Sequence, residues 1–213
     1  MTVRRQTLAL LLCLGLSTTT YAQTDAYAVM DRAAEALRRD EGIRAEFSLQ
    51  LVENGQAGTS QAGTLVLQGE QFALQTSATS SWFDGKTLWS YAATADEVYV
   101  SRPTADELQT VNPCLLLKHY RSSFSCRMGP RTTWKGQSVH EVVLTPRTAD
   151  TGFESITLLL SRQTLRPLCI DLTQAGLTTR LTMATYLVRQ HFEHSTFVFD
   201  PKRHPTAEVV DMR

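Results

Sequence analysis

Alternation of apolar and polar residues with a period of two recurs along most of this chain and constrains its fold more than any other feature. From Ile43 to Leu51 every second residue is apolar, which is typical of a strand with one buried face. The Asn-Gly pair within Glu53–Gln56 then indicates a hairpin turn. Further strands are predicted at 63–67, 72–76, 81–83, 87–91, 97–100, 139–144, 155–161, 167–172, 178–186, 197–199 and 209–210. Short strands separated by turns at roughly ten-residue intervals favour an antiparallel meander.

An amphipathic helix is predicted before the first strand. Tyr27, Met30 and Leu37 lie on one face of it, and Thr24 or Asp25 can cap its start, while Gly42 would end it. Short helices are also predicted at 105–110 and from Asn112 to Tyr120, because the strand pattern stops at Pro103 and Asn112-Pro113 suits a helix start. The sequence therefore predicts one α+β domain containing a single curved antiparallel sheet.

The N-terminus has the three parts of a secretory signal peptide. Arg4 and Arg5 precede a short apolar run, Leu8–Leu16, and a polar stretch of small residues ends at Ala22. The apolar run is roughly half of the ~20 residues that a membrane span needs, which disfavours the alternative of a membrane anchor. We predict a signal peptide at 1–22, cleaved near Ala22, and a single exported domain at 23–213.

The charge balance argues against nucleic acid as a partner. The chain has 21 basic and 21 acidic residues, and the loss of Arg4 and Arg5 leaves a formal charge near −2. The basic residues do not cluster, whereas nucleic-acid binding requires clustered Lys and Arg to neutralise phosphates.

Cysteines and histidines provide few candidates for chemistry. Cys114 and Cys126 flank a short helical segment and form the favoured disulfide pair, whereas the alternative is that these two and Cys169 are buried thiols. His191 and His194 could share a helix face, but no carboxylate completes a zinc motif, so we expect no metal and no cofactor.

No nucleophile motif is present, so we predict that the protein is not an enzyme. A hydrolase acting on envelope lipids through these histidines or a cysteine is the less favoured alternative.

One face of the predicted sheet carries an unusual number of large apolar side chains. Two interpretations remain open: this face packs an ordinary core, or it lines a cavity for an apolar ligand under too few helices to fill it. The residues assigned to this face are Phe47, Leu49, Leu51, Leu65, Leu67, Phe72, Leu74, Trp89, Tyr91, Leu158, Leu160, Leu168 and Ile170.

The segment Trp82–Tyr91, with its Asp-Gly-Lys-Thr turn between aromatic strands, resembles the outer-membrane lipoprotein carrier family, the LolA-like proteins. Ile43–Phe47 and Gly63–Leu67 are similar to that family's first strands, Asn112–Leu117 to its central helix and Phe197–Arg213 to its closing strand and tail. The resemblance covers nearly all of the chain after Ala22.

The resemblance implies an incomplete antiparallel barrel, covered by the N-terminal helix and short central helices that act as a lid. It implies a monomeric periplasmic carrier of lipoprotein acyl chains or another lipid, which receives cargo from an inner-membrane lipoprotein-releasing transporter and delivers it to an outer-membrane acceptor. The implied lid residues are Met30, Leu37, Leu115 and Leu116.

One departure from the family concerns the lid. Members of the family have a basic residue followed by Pro after the second strand, and an Arg there helps to latch the lid. Gln68, Gly69 and Glu70 stand at this place, so the latch is missing and the chain is a divergent member. The alternative function is an envelope structural or interaction module with a filled core and no lipid cargo.

Overall fold

One open, curved sheet of thirteen strands dominates the structure. The structure is a computed structural model that describes residues 18–104, 107–108, 116–130, 132–148 and 152–213. The strands are β1 (Ile43–Glu53), β2 (Gln56–Gln68), β3 (Gln71–Thr76), β4 (Thr79–Phe83), β5 (Leu88–Ala92), β6 (Glu97–Ser101), β7 (Phe124–Met128), β8 (Thr132–Trp134), β9 (Gln137–Pro146), β10 (Ser155–Ser161), β11 (Pro167–Gln174), β12 (Leu177–Leu187) and β13 (Glu208–Asp211).

Two α-helices lie against this sheet in the described part of the chain, α1 (Thr18–Arg39) and α2 (Leu116–Ser123). Arg38 and Arg39 occupy the last turn of α1, where positive charge is favourable. Two short 3₁₀ helices, His194–Phe197 and Pro201–Arg203, follow β12. No helix in the described ranges combines the length and the apolar character needed to cross a bilayer.

The order of strands in the sheet is β13-β6-β5-β4-β3-β2-β1-β12-β11-β10-β9-β7, with β8 paired to β9. Neighbours are antiparallel except β13, which runs parallel to β6. The two halves of the sheet join where β1 pairs with β12. Because β13 and β7 at the two ends of this order do not pair, the barrel is incomplete. This confirms the predicted fold class.

The sheet separates its apolar side chains into two clusters, because successive residues of a strand point to opposite faces. The inner cluster lies on the concave face, where Phe47, Phe72 and Leu158 belong to the same buried cluster as Met30 of α1. The outer cluster lies on the convex face and consists of Val66, Ala73, Trp82, Val98, Phe197 and Phe199, with Trp89, Tyr91 and Phe192 packed against it.

Gly42 fixes the path of the chain between α1 and β1. Its φ of +65° lies in the left-handed region, and an added Cβ would lie 1.6 Å from the carbonyl oxygen of Gln190. The amide of Gln190 donates a hydrogen bond to the Gly42 carbonyl at 2.8 Å. Only glycine permits this approach, so the chain leaves the helix and enters the sheet at a defined angle.

Several boundaries differ from the sequence prediction. In the full chain α1 begins at Thr18, before the predicted caps Thr24 and Asp25 and through the predicted cleavage site. β2 begins at Gln56 because the β1–β2 hairpin continues its ladder through polar, exposed residues. The predicted strand at 197–199 is wrong: His194–Phe197 is a 3₁₀ helix and the residues after it join no ladder. The predicted helix at 105–110 lies largely outside the described residues.

Candidate functional site

The concave face of the sheet is the candidate ligand site, and most of the predicted lining residues meet there. The predicted residues that are buried in the inner cluster are Phe47, Leu65, Leu67, Phe72, Leu158, Leu160 and Ile170. Leu49 and Leu74 are half-buried at its margin, and Leu168 is half-buried outside it. Strands from both halves of the sheet thus contribute to one continuous apolar surface.

Trp89 and Tyr91 are a correction to the prediction, since both pack against the outer cluster. The ladder between β4 and β5 places Trp82 opposite Trp89 and Phe83 opposite Leu88. Phe83 and Leu88 belong to the inner cluster, so the alternate residues point outward. The prediction assigned β5 the wrong phase, and a shift of one residue moves every side chain to the other face.

The inner face becomes exposed towards the β1–β2 turn. Along β1 the exposed fraction rises from 1% at Ala45 and 4% at Phe47 to 46% at Leu51. On the same face of the neighbouring β12, it rises from 6% at Leu181 to 39% at Leu177. We call Leu49, Leu51 and Leu177 the open margin. Leu177 was missed by the sequence analysis, although it continues the alternation that runs through Thr179 and Leu181.

The helices cover the remainder of the concave face. α1 contributes small and medium side chains to the inner cluster, including Met30 and Leu37 from the predicted lid, and α2 contributes Leu117 and Tyr120. Leu115 lies outside the described residues, and the side chain of Leu116 is likewise not described. The inner-cluster side chains are closely packed, so the site is closed in this structure.

A cavity of about 720 Å³ lies at the end of the concave face opposite the open margin. Its apolar part is formed by Leu37, Ile43 and Leu67, which belong to the inner cluster. Its rim is polar and includes the turn at 68–70, where the family's latch pair is missing. The cavity therefore borders the packed interior beside the C-terminal end of α1.

Ion pairs hold α1 in place. Arg166, in the β10–β11 turn, donates to both carboxylate oxygens of Asp40 at 2.7 and 2.9 Å, and its guanidinium lies 5.1 Å from the ring centroid of Tyr186. The two charged side chains are 29% and 15% exposed, so water weakens this pair less than the more exposed pair of Asp31 and Arg121. Nearer the middle of the helix, Asp31 accepts hydrogen bonds from Tyr120 and Arg121 of α2.

These contacts change the acidity of the groups involved. Hydrogen bonds from Arg121 and Tyr120 hold the pKa of Asp31 below its ordinary value, whereas burial raises the pKa of Tyr120. The link between α1 and α2 thus joins a carboxylate that stays ionised to a phenol that stays protonated.

The cysteines and histidines form no reactive centre in the described residues. Cys126 and Cys169 are buried, and burial raises the pKa of each thiol to about 11. Cys114 lies outside the described residues, so the Cys114–Cys126 bridge stays a prediction. His191 lies 3.8 Å from Glu193, and Nδ1 of His194 lies 3.0 Å from Nε2 of Gln71. No group of three metal-binding side chains is present among the described residues.

A family profile and a solved structure from Thermus thermophilus support this architecture. Residues 16–175 match the profile of the family described as outer membrane lipoprotein carrier protein LolA. No curated protein matches the sequence. An uncharacterized conserved protein from Thermus thermophilus has 12% identity over 88% of this chain and 99% of its own, with a TM-score of 0.59. A LolA superfamily protein from Nitrosomonas europaea has 11% identity over 86% of this chain and 99% of its own, with a TM-score of 0.47.

Proposed function

Because the chain belongs to the family of outer membrane lipoprotein carrier protein LolA, we propose that it is a periplasmic carrier that shields lipoprotein acyl chains during transfer towards the outer membrane. Proteins of this family are generally not enzymes, and we propose no catalytic role. The single observation that carries the proposal is the continuity of one apolar surface from the buried inner cluster to the exposed leucines of the open margin.

The energetics of acyl transfer suit such a surface. Each buried methylene contributes ~0.8 kcal/mol to the free energy of transfer from water. Burial of a single long acyl chain therefore contributes on the order of ten kcal/mol. Side chains already fill the space between α1 and the inner face. An acyl chain that enters at Leu51 and Leu177 must therefore displace the helix. In this proposal the lid opens by movement of α1 and α2, and Asp40 and Arg166 hold it closed in place of the missing latch.

Binding of a fluorescent triacylated lipopeptide tests this proposal. The purified chain lacking residues 1–22 should bind it saturably, one lipopeptide per protein. Leu51→Glu places a charge on the exposed margin without disturbing the packed core, and it should weaken binding about tenfold or more, because an acyl chain entering there would desolvate the carboxylate.

The matched control is Val209→Glu, which makes the same kind of change at an exposed apolar residue of β13, away from the concave face. It should leave the affinity unchanged. Absence of saturable binding, or equal weakening by the two substitutions, would reject the concave face as the acyl site. Urea denaturation of each variant shows whether the fold is retained.

The close packing of the inner cluster favours a second candidate function, an envelope structural or interaction module without lipid cargo. A module of this kind would retain a protein partner after delipidation and would not bind the lipopeptide. The same titration therefore separates the two functions.

A carrier of this kind must be exported and must exchange its cargo with membrane proteins. We propose that residues 1–22 act as a signal peptide cleaved near Ala22, and that 23–213 form one carrier domain, active as a monomer. Its partners would be an inner-membrane lipoprotein-releasing transporter and an outer-membrane acceptor. Mass spectrometry of the protein isolated from the producing cell would identify its first residue.

A further inference from the structure

A groove on the convex face of the sheet is separate from the proposed acyl site. It has a volume of about 820 Å³, within the range of roughly 300 to 1,000 Å³ that is usual for small-molecule sites. Its floor is formed by outward-facing residues of four neighbouring strands, and its wall by the segment 194–204 that follows β12. The inner cluster contributes nothing to its lining.

The floor of the groove is an apolar row that ends in a charge. Cross-strand pairing places Arg44 opposite Val66, Val66 opposite Ala73, and Ala73 opposite Trp82. Three strand spacings separate the first and last residues of the row, so it extends about 14 Å. Arg44 on β1 therefore stands at one end of the row and Trp82 on β4 at the other.

Aromatic rings close the end opposite Arg44. The ring centroids of Trp82 and Phe199 are 5.6 Å apart. The ring of His204 stacks on that of Phe199, with 5.4 Å between the centroids. The ring centroids of Tyr91 and His204 are 4.3 Å apart. These mutual ring contacts fix the aromatic wall before any ligand arrives.

The charges of the groove are predominantly positive. Arg44 is exposed and makes no ion pair or side-chain hydrogen bond with any described residue. Arg203 also lines the groove, but it faces Asp200 at 3.7 Å, and Asp200 is the one carboxylate in the lining. An unpaired guanidinium at the end of an apolar floor is complementary to a ligand with one acidic group and an apolar body.

We propose that this groove is a second ligand site, which binds an anionic amphiphile with its acidic group at Arg44 and its apolar part along Val66 and Ala73 towards Trp82 and Phe199. A carboxylate and a phosphate monoester share the chemistry that Arg44 recognises. The ligand is accordingly a fatty acid or a single-chain phosphate lipid, and the site operates independently of the lid on the concave face.

Tryptophan fluorescence reports on this site selectively. The chain has three tryptophans, Trp82, Trp89 and Trp134, and none of them belongs to the inner cluster. A brominated chain quenches tryptophan only at short range, so 12-bromododecanoate in the groove quenches Trp82 and its neighbour Trp89, whereas the same molecule under α1 does not contact them. Trp134→Phe should preserve the quenching.

The test is a quenching titration of the folded chain with 12-bromododecanoate below its micelle concentration. Quenching should saturate, and Arg44→Gln should weaken the apparent affinity about tenfold to a hundredfold, because a hydrogen bond between two charged groups is lost. The matched control, Arg127→Gln, removes an exposed charge from β7, outside the groove, and should leave the titration unchanged.

Competition identifies the acidic group. Dodecyl phosphate and dodecanoate should displace the brominated probe, whereas dodecanol should displace it poorly. The more effective competitor shows whether the groove prefers a phosphate or a carboxylate. Quenching that does not saturate, equal affinity in Arg44→Gln, or displacement by dodecanol as effective as by the anions would overturn the proposal. Leu51→Glu should leave this titration unchanged, so the failure of one site is distinguishable from the failure of the other.

Discussion

His140 is a single residue whose surroundings link the lid region to pH. It lies on β9 opposite the fully buried Leu160, and its Nδ1 is buried without a hydrogen-bond partner among the described residues. Burial lowers its pKa, and the positive charges of Arg162 and of Arg32 on α1 lower it further. The folded protein therefore keeps this imidazole neutral at a pH at which the unfolded chain already protonates it.

This histidine makes stability depend on pH near neutrality. Because its folded pKa lies below the unfolded value of about 6.5, its contribution is fully present above that pH and is lost as the pH falls. The free energy of unfolding, measured with urea, should decrease from pH 7 to pH 5. His140→Gln should flatten this decrease, whereas His191→Gln, at an exposed site, should not. An unchanged slope in His140→Gln would show that other groups are responsible.

At the scale of elements, the attachment of α1 decides whether the concave face can open. The bidentate pair of Asp40 and Arg166 joins the C-terminal end of α1 to the β10–β11 turn in the far half of the sheet. The other charged link, from Asp31 to Arg121, connects α1 only to α2 and is half-exposed. Loss of the first pair would therefore free the helix end beside the 720 Å³ cavity.

Arg166→Met tests this role. It leaves a largely buried Asp40 without its partner and should cost about 1–3 kcal/mol of stability. Amide hydrogen exchange in the last turns of α1 should accelerate, and lipopeptide release should become faster. Arg38→Met removes an exposed pair with Glu35 on the same helix and should change stability far less than Arg166→Met, with little effect on exchange.

A different result would identify another latch. If α1 exchanges at the wild-type rate in Arg166→Met, the helix is held by its apolar side chains alone. Slower lipopeptide release would contradict the role of this pair in closing the lid.

The sequence predicted the elements more successfully than their relative placement. Strands such as β1 and β10 were identified because their alternation is strong and local. β7 was missed although Phe124, Cys126 and Met128 alternate with polar residues, since it is only five residues long and ends beside a Gly-Pro turn. The phase of β5 was wrong because Trp89 and Leu88 are both apolar, and only the ladder to β4 decides which of them points inward.

At the scale of the whole molecule, one sheet offers two different surfaces. The concave face is apolar and covered by helices, whereas the convex face carries the aromatic outer cluster and the groove that ends at Arg44. The curvature of an incomplete barrel makes the first surface suitable for enclosing a chain. On the second surface the outer cluster is itself buried, including Phe197 and Phe199 from the segment after β12.

The fold class and most of the candidate lining were predictable from the sequence, but the open margin was not. Leu51 alternates in register with Phe47, so the pattern alone assigns both to the same buried face. Their different exposure, 4% for Phe47 and 46% for Leu51, depends on which elements cover each end of β1, and contacts between residues far apart in the chain decide this. The groove was unpredictable for the same reason, because its wall comes from a segment that forms no strand.

Photo-crosslinking with a triacylated lipopeptide that carries a diazirine in an acyl chain locates the acyl site on the protein. After irradiation of the complex, peptide mapping should place the crosslinks on inward-facing residues of β1, β10, β11 and β12 and on α1, including Leu49, Leu158 and Met30. Crosslinks confined to the convex face, or a lipopeptide that leaves the concave face unlabelled, would contradict the proposal that acyl chains bind under α1.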